Sequence, residues 1–191
     1  MYKKVLNCLK AKQILPPAKV YTDFELNEIN SLKEVFDDVI VEGCDTHFKR
    51  ALRRNLGDKH LLQDYNLYTP LQNFVRKVWG CSLVPPEMVE DIWENTLKLS
   101  LPFKEDYNPD NNQNDEAEDD DGVDPQEEIN TYNHNLDQYV RYLEFTWFGY
   151  NQPRTGNKKA PRFPIRTWNK YDCVINSEDT TTIVQKVLTL L

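Results

Sequence analysis

The chain has 191 residues, enough for one solid core or a core with a small subdomain. Its four cysteines, at positions 8, 44, 81 and 173, are too few and too scattered for a disulfide scaffold. The formal net charge of -8 is concentrated in residues 105–128, which hold 12 acidic and no basic residues; the rest of the chain carries 19 acidic against 23 basic ones. The bulk charge therefore argues against nucleic-acid binding, while its distribution leaves that function open.

The opening Met1–Lys10 is broken by charge before any apolar signal-peptide core forms, and no window approaches 18 apolar residues. No membrane span is expected, and a reducing intracellular compartment is the default. Val5, Leu6, Cys8, Leu9 and Ile14 are spaced for one face of a first helix, which Pro16 and Pro17 should end. Lys19–Thr22 read as a short buried strand. Helical spacing resumes from Phe24 through Leu26, Ile29, Leu32, Val35 and Phe36. A second strand is expected at Val39–Val41, closed by Gly43. Helix, strand, helix, strand is an α/β pattern in which parallel pairing is expected.

Residues 44–56 then repeat Cys44, His47, Phe48, Ala51, Leu52 and Leu56 at helical spacing. Two more helices follow over 69–79, with Pro70 at its start, and 85–99, opened by Pro85 and Pro86 with Met88, Val89, Ile92, Trp93 and Leu97 inside. The tract 105–128 has almost nothing apolar and should be disordered, because it cannot repay the entropy of ordering. Asp119–Gly122 lacks the spacing of a calcium loop. Order should return at Leu136, with a dense apolar run to Phe148. A turn-rich stretch follows over 149–164, in which Pro161 and Pro164 oppose a helix. Ile165, Trp168, Tyr171 and Val174 resume an apolar pattern, and the last residues, Thr180–Leu191, stop abruptly in one.

Several side chains carry chemistry. Asp23 stands at the carboxyl end of a predicted strand, where open α/β sheets place their sites; it reads either as a metal-facing carboxylate or as a helix N-cap. Glu25 reads as a first-turn acid that suits the helix dipole. Cys44 and His47, three apart, are good zinc ligands, but a structural zinc site needs four; the same pair could be packed and hydrogen-bonded in the core. Cysteine-protease chemistry lacks an identifiable third group to orient His47. Lys49, Arg50, Arg53, Arg54 and Lys59 form one basic stretch, and Arg154, Lys158, Lys159, Arg162 and Arg166 a second. Each reads as a set of phosphate contacts or as a solvated face, without helix-turn-helix or zinc-finger spacing. Trp79, Trp93, Trp147 and Trp168 read as core anchors.

Taken in order, the short motifs resemble those of the Mutator-like (MULE) transposases. They are Thr22-Asp23-Phe24-Glu25, Gly43-Cys44-Asp45-Thr46-His47-Phe48, Val84-Pro85-Pro86-Glu87 and Trp147-Phe148-Gly149. Pro161-Arg162-Phe163-Pro164-Ile165, Trp168-Asn169-Lys170-Tyr171-Asp172 and Val174-Ile175-Asn176 complete the series. The likeness runs over about residues 17–178; each motif alone is weak, and their order is what makes it specific. It implies an incomplete RNase H-like fold: a partial α/β core at 1–43, a mostly helical insertion at 44–175, and the start of a truncated core helix at 176–191. It also implies descent from an enzyme that cuts and joins DNA with Mg²⁺ or Mn²⁺ held by two Asp and one Glu. Asp23 matches the second of these acids. The first lies upstream of the matched segment, and the third falls near Thr180–Gln185, where Gln185 stands in the Glu position. The Cys44/His47 pair recurs in that family.

The resemblance thus implies a DDE-type transposase fragment that does not cleave DNA by itself, has a nuclear location, and contacts double-stranded DNA weakly and without sequence preference. Two alternatives stand beside it: a domesticated, non-enzymatic protein-interaction module, and one half of a split nuclease completed by a partner chain.

Overall fold

A computed structural model describes residues 1–14, 18–105 and 124–178. The first unit has the expected order of elements, but its first helix buries no side chain, Val5 and Ile14 are about half exposed, and of the strand expected to be buried only Thr22 is. Helix α1 (Tyr2–Ala11) packs on α2 (Leu26–Val35), and strands β1 (Lys19–Thr22) and β2 (Ile40–Gly43) pair in parallel, Lys19 opposite Ile40 and Thr22 opposite Gly43. The expected strand–helix–strand is therefore present, with β2 shifted one residue toward Gly43. Pro16, Pro17 and Gln185 lie outside the described residues, as does most of the segment expected to begin a C-terminal helix.

One reading of this segment is corrected. Helical spacing does not start at Phe24: α2 begins at Leu26, with Glu25 at its N-cap position. Phe24 has φ 69°, a left-handed conformation that a bulky residue adopts only when its surroundings demand it. The demand is visible. Its ring stands edge-on to Trp147 at 5.0 Å and to Phe163 at 5.2 Å, so the backbone turns back to bury an aromatic side chain.

The helical part follows. It comprises α3 (Asp45–Asp58), α4 (Leu62–Leu67), α5 (Thr69–Gly80) and a run over 86–100 whose winding changes along its length. In that run α6 (Val89–Ile92) is followed by a wide π turn at Trp93–Leu97. The short α4 has no counterpart in the residue-pattern reading. Its six residues bury no side chain, so no apolar stripe marks it.

The acidic tract is corrected at its end. Residues 106–123 lie outside the described residues, but 125–128 form the first turn of the longest helix, α7 (Pro125–Leu143). Local chemistry explains this start. The Asp124 side chain accepts from the Gln126 N–H, Pro125 occupies the first turn, and Glu127 and Glu128 face the positive end of the helix dipole. The helix is therefore already formed at Pro125, eleven residues before Leu136.

Helix α7 ends in a second π turn, Glu144–Phe148, closed by Gly149 at φ 82°. A Cβ there would lie 2.6 Å from the Lys159 carbonyl oxygen, so glycine is required. The turn-rich stretch contains a two-residue antiparallel pairing of β3 (Tyr150–Asn151) with β4 (Lys158–Lys159). Two short helices, α8 (Ile165–Trp168) and α9 (Tyr171–Ile175), complete the described chain.

One apolar core runs from Ile29 to Trp168 through all of these parts, so the strands and the helices do not form separate cores. Its centre is aromatic. Phe48 stacks on Trp168 at 4.9 Å, Trp93 stacks on Phe148 at 4.2 Å, and Trp147 stands edge-on to Phe48. Trp93, Trp147 and Trp168 are core anchors as expected, while Trp79 is only partly buried. Met88 and Val174, expected inside, are about half exposed.

A polar clamp fixes α9 to the sheet. The ammonium of Lys170, fully buried, bonds Glu42 Oε2 at 2.7 Å, and Lys19 reaches Glu42 Oε1 at 3.1 Å. Cys173 Sγ lies 3.4 Å from the same Glu42 oxygen. Burial opposes the Glu42 charge, but the hydrogen bond and charge of Lys170, then those of Lys19, outweigh it and hold its pKa below the ordinary value. Asn169 adds a second tie, donating to the carbonyls of Val84 at 2.8 Å and Cys81 at 3.2 Å.

Candidate functional site

A cleft of about 480 Å³ opens beside the end of β1. Asp23, Phe24 and Glu25 form one wall. His47, Arg50 and Arg54 come from one face of α3, at spacings of three and four, and Arg162 comes from the far side of the sequence.

Arg162 is tied here by the end of that helix. In the wide turn the Gly149 N–H donates to the Glu144 carbonyl, and the carbonyls of Phe145 and Thr146 at the helix end accept from the N–H groups of Arg162 (2.9 Å) and Phe163 (3.0 Å). Phe163 then packs against Trp147 at 5.2 Å and the neighbouring arginine is held at the cleft. The two basic stretches, residues 49–59 and 154–166, thus meet through one member of the second and two of the first.

Other members of those stretches are placed elsewhere. Lys49 is paired with Asp45 at 2.8 Å, one turn back on α3. Lys158 is paired with Glu90. Arg53, Arg154 and Lys159 are exposed and outside the cleft lining, and Arg166 lines different surface depressions. The Lys49–Asp45 spacing of four is readable along the sequence, but the Lys158–Glu90 pair and the arrival of Arg162 at the cleft are not.

Asp23 is not the cap of α2; its side chain is exposed beside Glu25 and Glu28. Carboxylate oxygens of these three acids lie within 4.8 Å of one another. Burial first, and then the charges of Asp23 and Glu25, push the Glu28 pKa up. The Tyr2 hydroxyl donates to Glu25 Oε2 at 2.5 Å, and that hydrogen bond is the main reason its pKa is raised to about 12. Glu28 was missed from the sequence, although Asp23 and Glu28 flank a helix start, where their side chains can converge.

Cys44 is buried at the N-cap position of α3, its N–H donating to the Thr22 carbonyl at 2.8 Å. His47 lies one turn on, with a buried Nδ1 that meets no hydrogen-bond partner among the described residues. Among the described residues no third Cys, His or carboxylate joins either of them in a ligand set, so the zinc expectation lacks the ligands such a site needs.

The chain matches no protein-family model, no curated protein and no solved structure. Among the described residues no helix is long and apolar enough to cross a membrane.

Proposed function

We propose that this chain binds the phosphate backbone of double-stranded DNA in the cleft of Arg50, Arg54 and Arg162, as a fragment descended from a MULE-type transposase. The carrying observation is the convergence of both basic stretches beside Asp23. Guanidinium groups match phosphate oxygens in geometry and charge and read no base sequence from that position, so binding is salt-sensitive and non-specific.

The scattered motifs of the likeness meet in one core. Phe24, Phe48, Trp147, Phe163 and Trp168, from five of them, share one aromatic cluster, and Asn169 reaches the Val84 carbonyl of a sixth. An RNase H-like parent fold and a nuclear location follow as parts of the same reading.

Mg²⁺ or Mn²⁺ is implied by that parentage. The oxygen set of Asp23, Glu25 and Glu28 suits a hard divalent ion in donor type and spacing. Such an ion, when bound, supplies charge stabilisation at a phosphodiester. The residues themselves do simpler things: the acids hold negative charge at the cleft mouth, and the arginines orient a phosphate opposite them. With Gln185 in place of the parent Glu, the chain alone binds DNA and does not cut it.

The test is titration of duplex DNA at several salt concentrations with the intact chain and an Arg50→Ala/Arg54→Ala/Arg162→Ala variant. The expected result is binding whose salt dependence is shallower in the variant. Equal binding by both, or none at low salt, would sink the reading. Incubation with terminal-inverted-repeat DNA and Mn²⁺ should leave the DNA intact; nicking that is lost in Asp23→Asn would show that the chain is a nuclease.

A second reading, one half of a split enzyme or an interaction module completed by a partner chain, is favoured by the sheet. Among the described residues the β1–β2 sheet has two four-residue strands, and Ile40 on β2 is 54% exposed. Two strands alone make a weak sheet.

A further inference from the structure

A second cleft, about 480 Å³, lies between α4 and α7 on surface that the proposed DNA site does not use. Its wall is a pair of tyrosines, Tyr68 and Tyr132, with ring planes at 90° and centroids 5.7 Å apart. Two carboxylates, Asp64 and Glu128, stand beside them. The ammonium of Lys104 sits in this corner. It lies 4.5 Å from the Tyr132 centroid and 5.7 Å from that of Tyr68, 2.9 Å from Asp64 and 4.0 Å from Glu128.

The corner is held in shape without Lys104's side chain. Tyr132 is buried, and its hydroxyl donates to the Pro102 carbonyl at 2.8 Å. Asn133 fixes the Lys104 backbone on both sides, accepting from its N–H at 2.9 Å and donating to its carbonyl at 3.0 Å. The Lys104 side chain can therefore leave while its backbone stays. The space beside it is lined by His60, Gln63 and Asn135, and among the described residues no second Lys or Arg lines it.

We propose that this cleft is a binding site for an alkylammonium group, and that Lys104 is its built-in competitor. Two ring faces attract a cation through their quadrupoles, most strongly where water is excluded, and methyl groups on nitrogen fit such faces. Asp64, at hydrogen-bond distance from the resident ammonium, rewards a nitrogen that keeps one N–H. The preferred ligand is accordingly a dimethylated ammonium, which offers both, ahead of a trimethylated one. A neutral amide should not bind.

The experiment uses the full chain and its Lys104→Met and Lys104→Ala variants, titrated with N-acetyl-dimethyllysine amide, its trimethyl analogue and N-acetyl-acetyllysine amide. Ring-proton NMR shifts of Tyr68 and Tyr132 are the readout. Removing the competitor should tighten dimethyllysine binding at least tenfold. Trimethyllysine should bind more weakly, acetyllysine should leave the rings unmoved, and adding Tyr132→Leu should abolish the response. A folded variant that shows no shift, or one that responds equally to acetyllysine, overturns the proposal and leaves Lys104 a static clasp. If both variants unfold, the intact chain decides: weak saturable shifts with dimethyllysine support the site, and none at millimolar ligand overturns it. None of these outcomes depends on DNA binding.

Discussion

The ring of Phe24 lies over Gly43 so closely that a methyl group built on the glycine would come within 2.1 Å of its Cζ. Strand β2 thus ends in glycine because an aromatic ring from the β1 end occupies the space. The same ring holds the Asp23 turn in a left-handed conformation beside the cleft.

Gly43→Ala should therefore be costly. The ring must leave its place between Trp147 and Phe163 or the strand ends must separate, and overpacking of this kind costs about 1–3 kcal/mol. A lower urea midpoint and altered aromatic near-UV circular dichroism are expected. An unchanged midpoint would mean that the ring moves freely and that Asp23 is not held by it.

The Glu42–Lys170 pair predicts a pH dependence. The Glu42 pKa is depressed in the folded state, so its contribution is complete above the unfolded value of about 4.3 and is lost as pH falls through the lower folded value. Glu42→Gln leaves the buried Lys170 charge without its partner and should cost about 3–5 kcal/mol at pH 7. Urea unfolding at pH 7 and pH 3 should show the gap between the two proteins shrinking in acid.

Glu28 has the opposite sign. Its raised folded pKa means that the folded chain holds the proton longer, so ionisation there opposes folding. Glu28→Gln should raise the urea midpoint at neutral pH, where the penalty is fully present. That gain should vanish below about pH 4.3, where the carboxyl is protonated in both states. A variant less stable than the parent at pH 7 would contradict the crowding of Glu28 by Asp23 and Glu25.

The individual cations should divide in DNA binding. Arg50→Ala, Arg54→Ala and Arg162→Ala should each lower the salt slope of log affinity by about 1. Lys49→Ala and Lys158→Ala should change it less, because those charges are already engaged by Asp45 and Glu90. A uniform effect of all five would point to a diffuse basic surface in place of a cleft.

Much of the local structure was legible along the chain. Apolar spacing of three and four marked α2, α3 and α5, and β-favouring runs beside it marked β1 and β2, because local periodicity reports which face of an element meets the core. The start of α7 was not read, although Asp124-Pro125 followed by Glu127 and Glu128 carries its signal. There the acidic composition of the tract hid a helix N-terminus, since acids both solvate a linker and stabilise a first turn. α4 carried no buried stripe and left no signal.

Sequence alone determined which residues could bear the chemistry: Asp23 after a strand, and two basic stretches. Tertiary structure decided which of them act together. Arg162 reaches Arg50 and Arg54 because the carbonyls of Phe145 and Thr146, at the end of a helix, anchor the returning chain. Lys49 and Lys158 are drawn aside by carboxylates that only folding, or a helical turn, brings near. A residue's charge is fixed by its type, but its freedom to meet a ligand depends on neighbours that long-range packing selects.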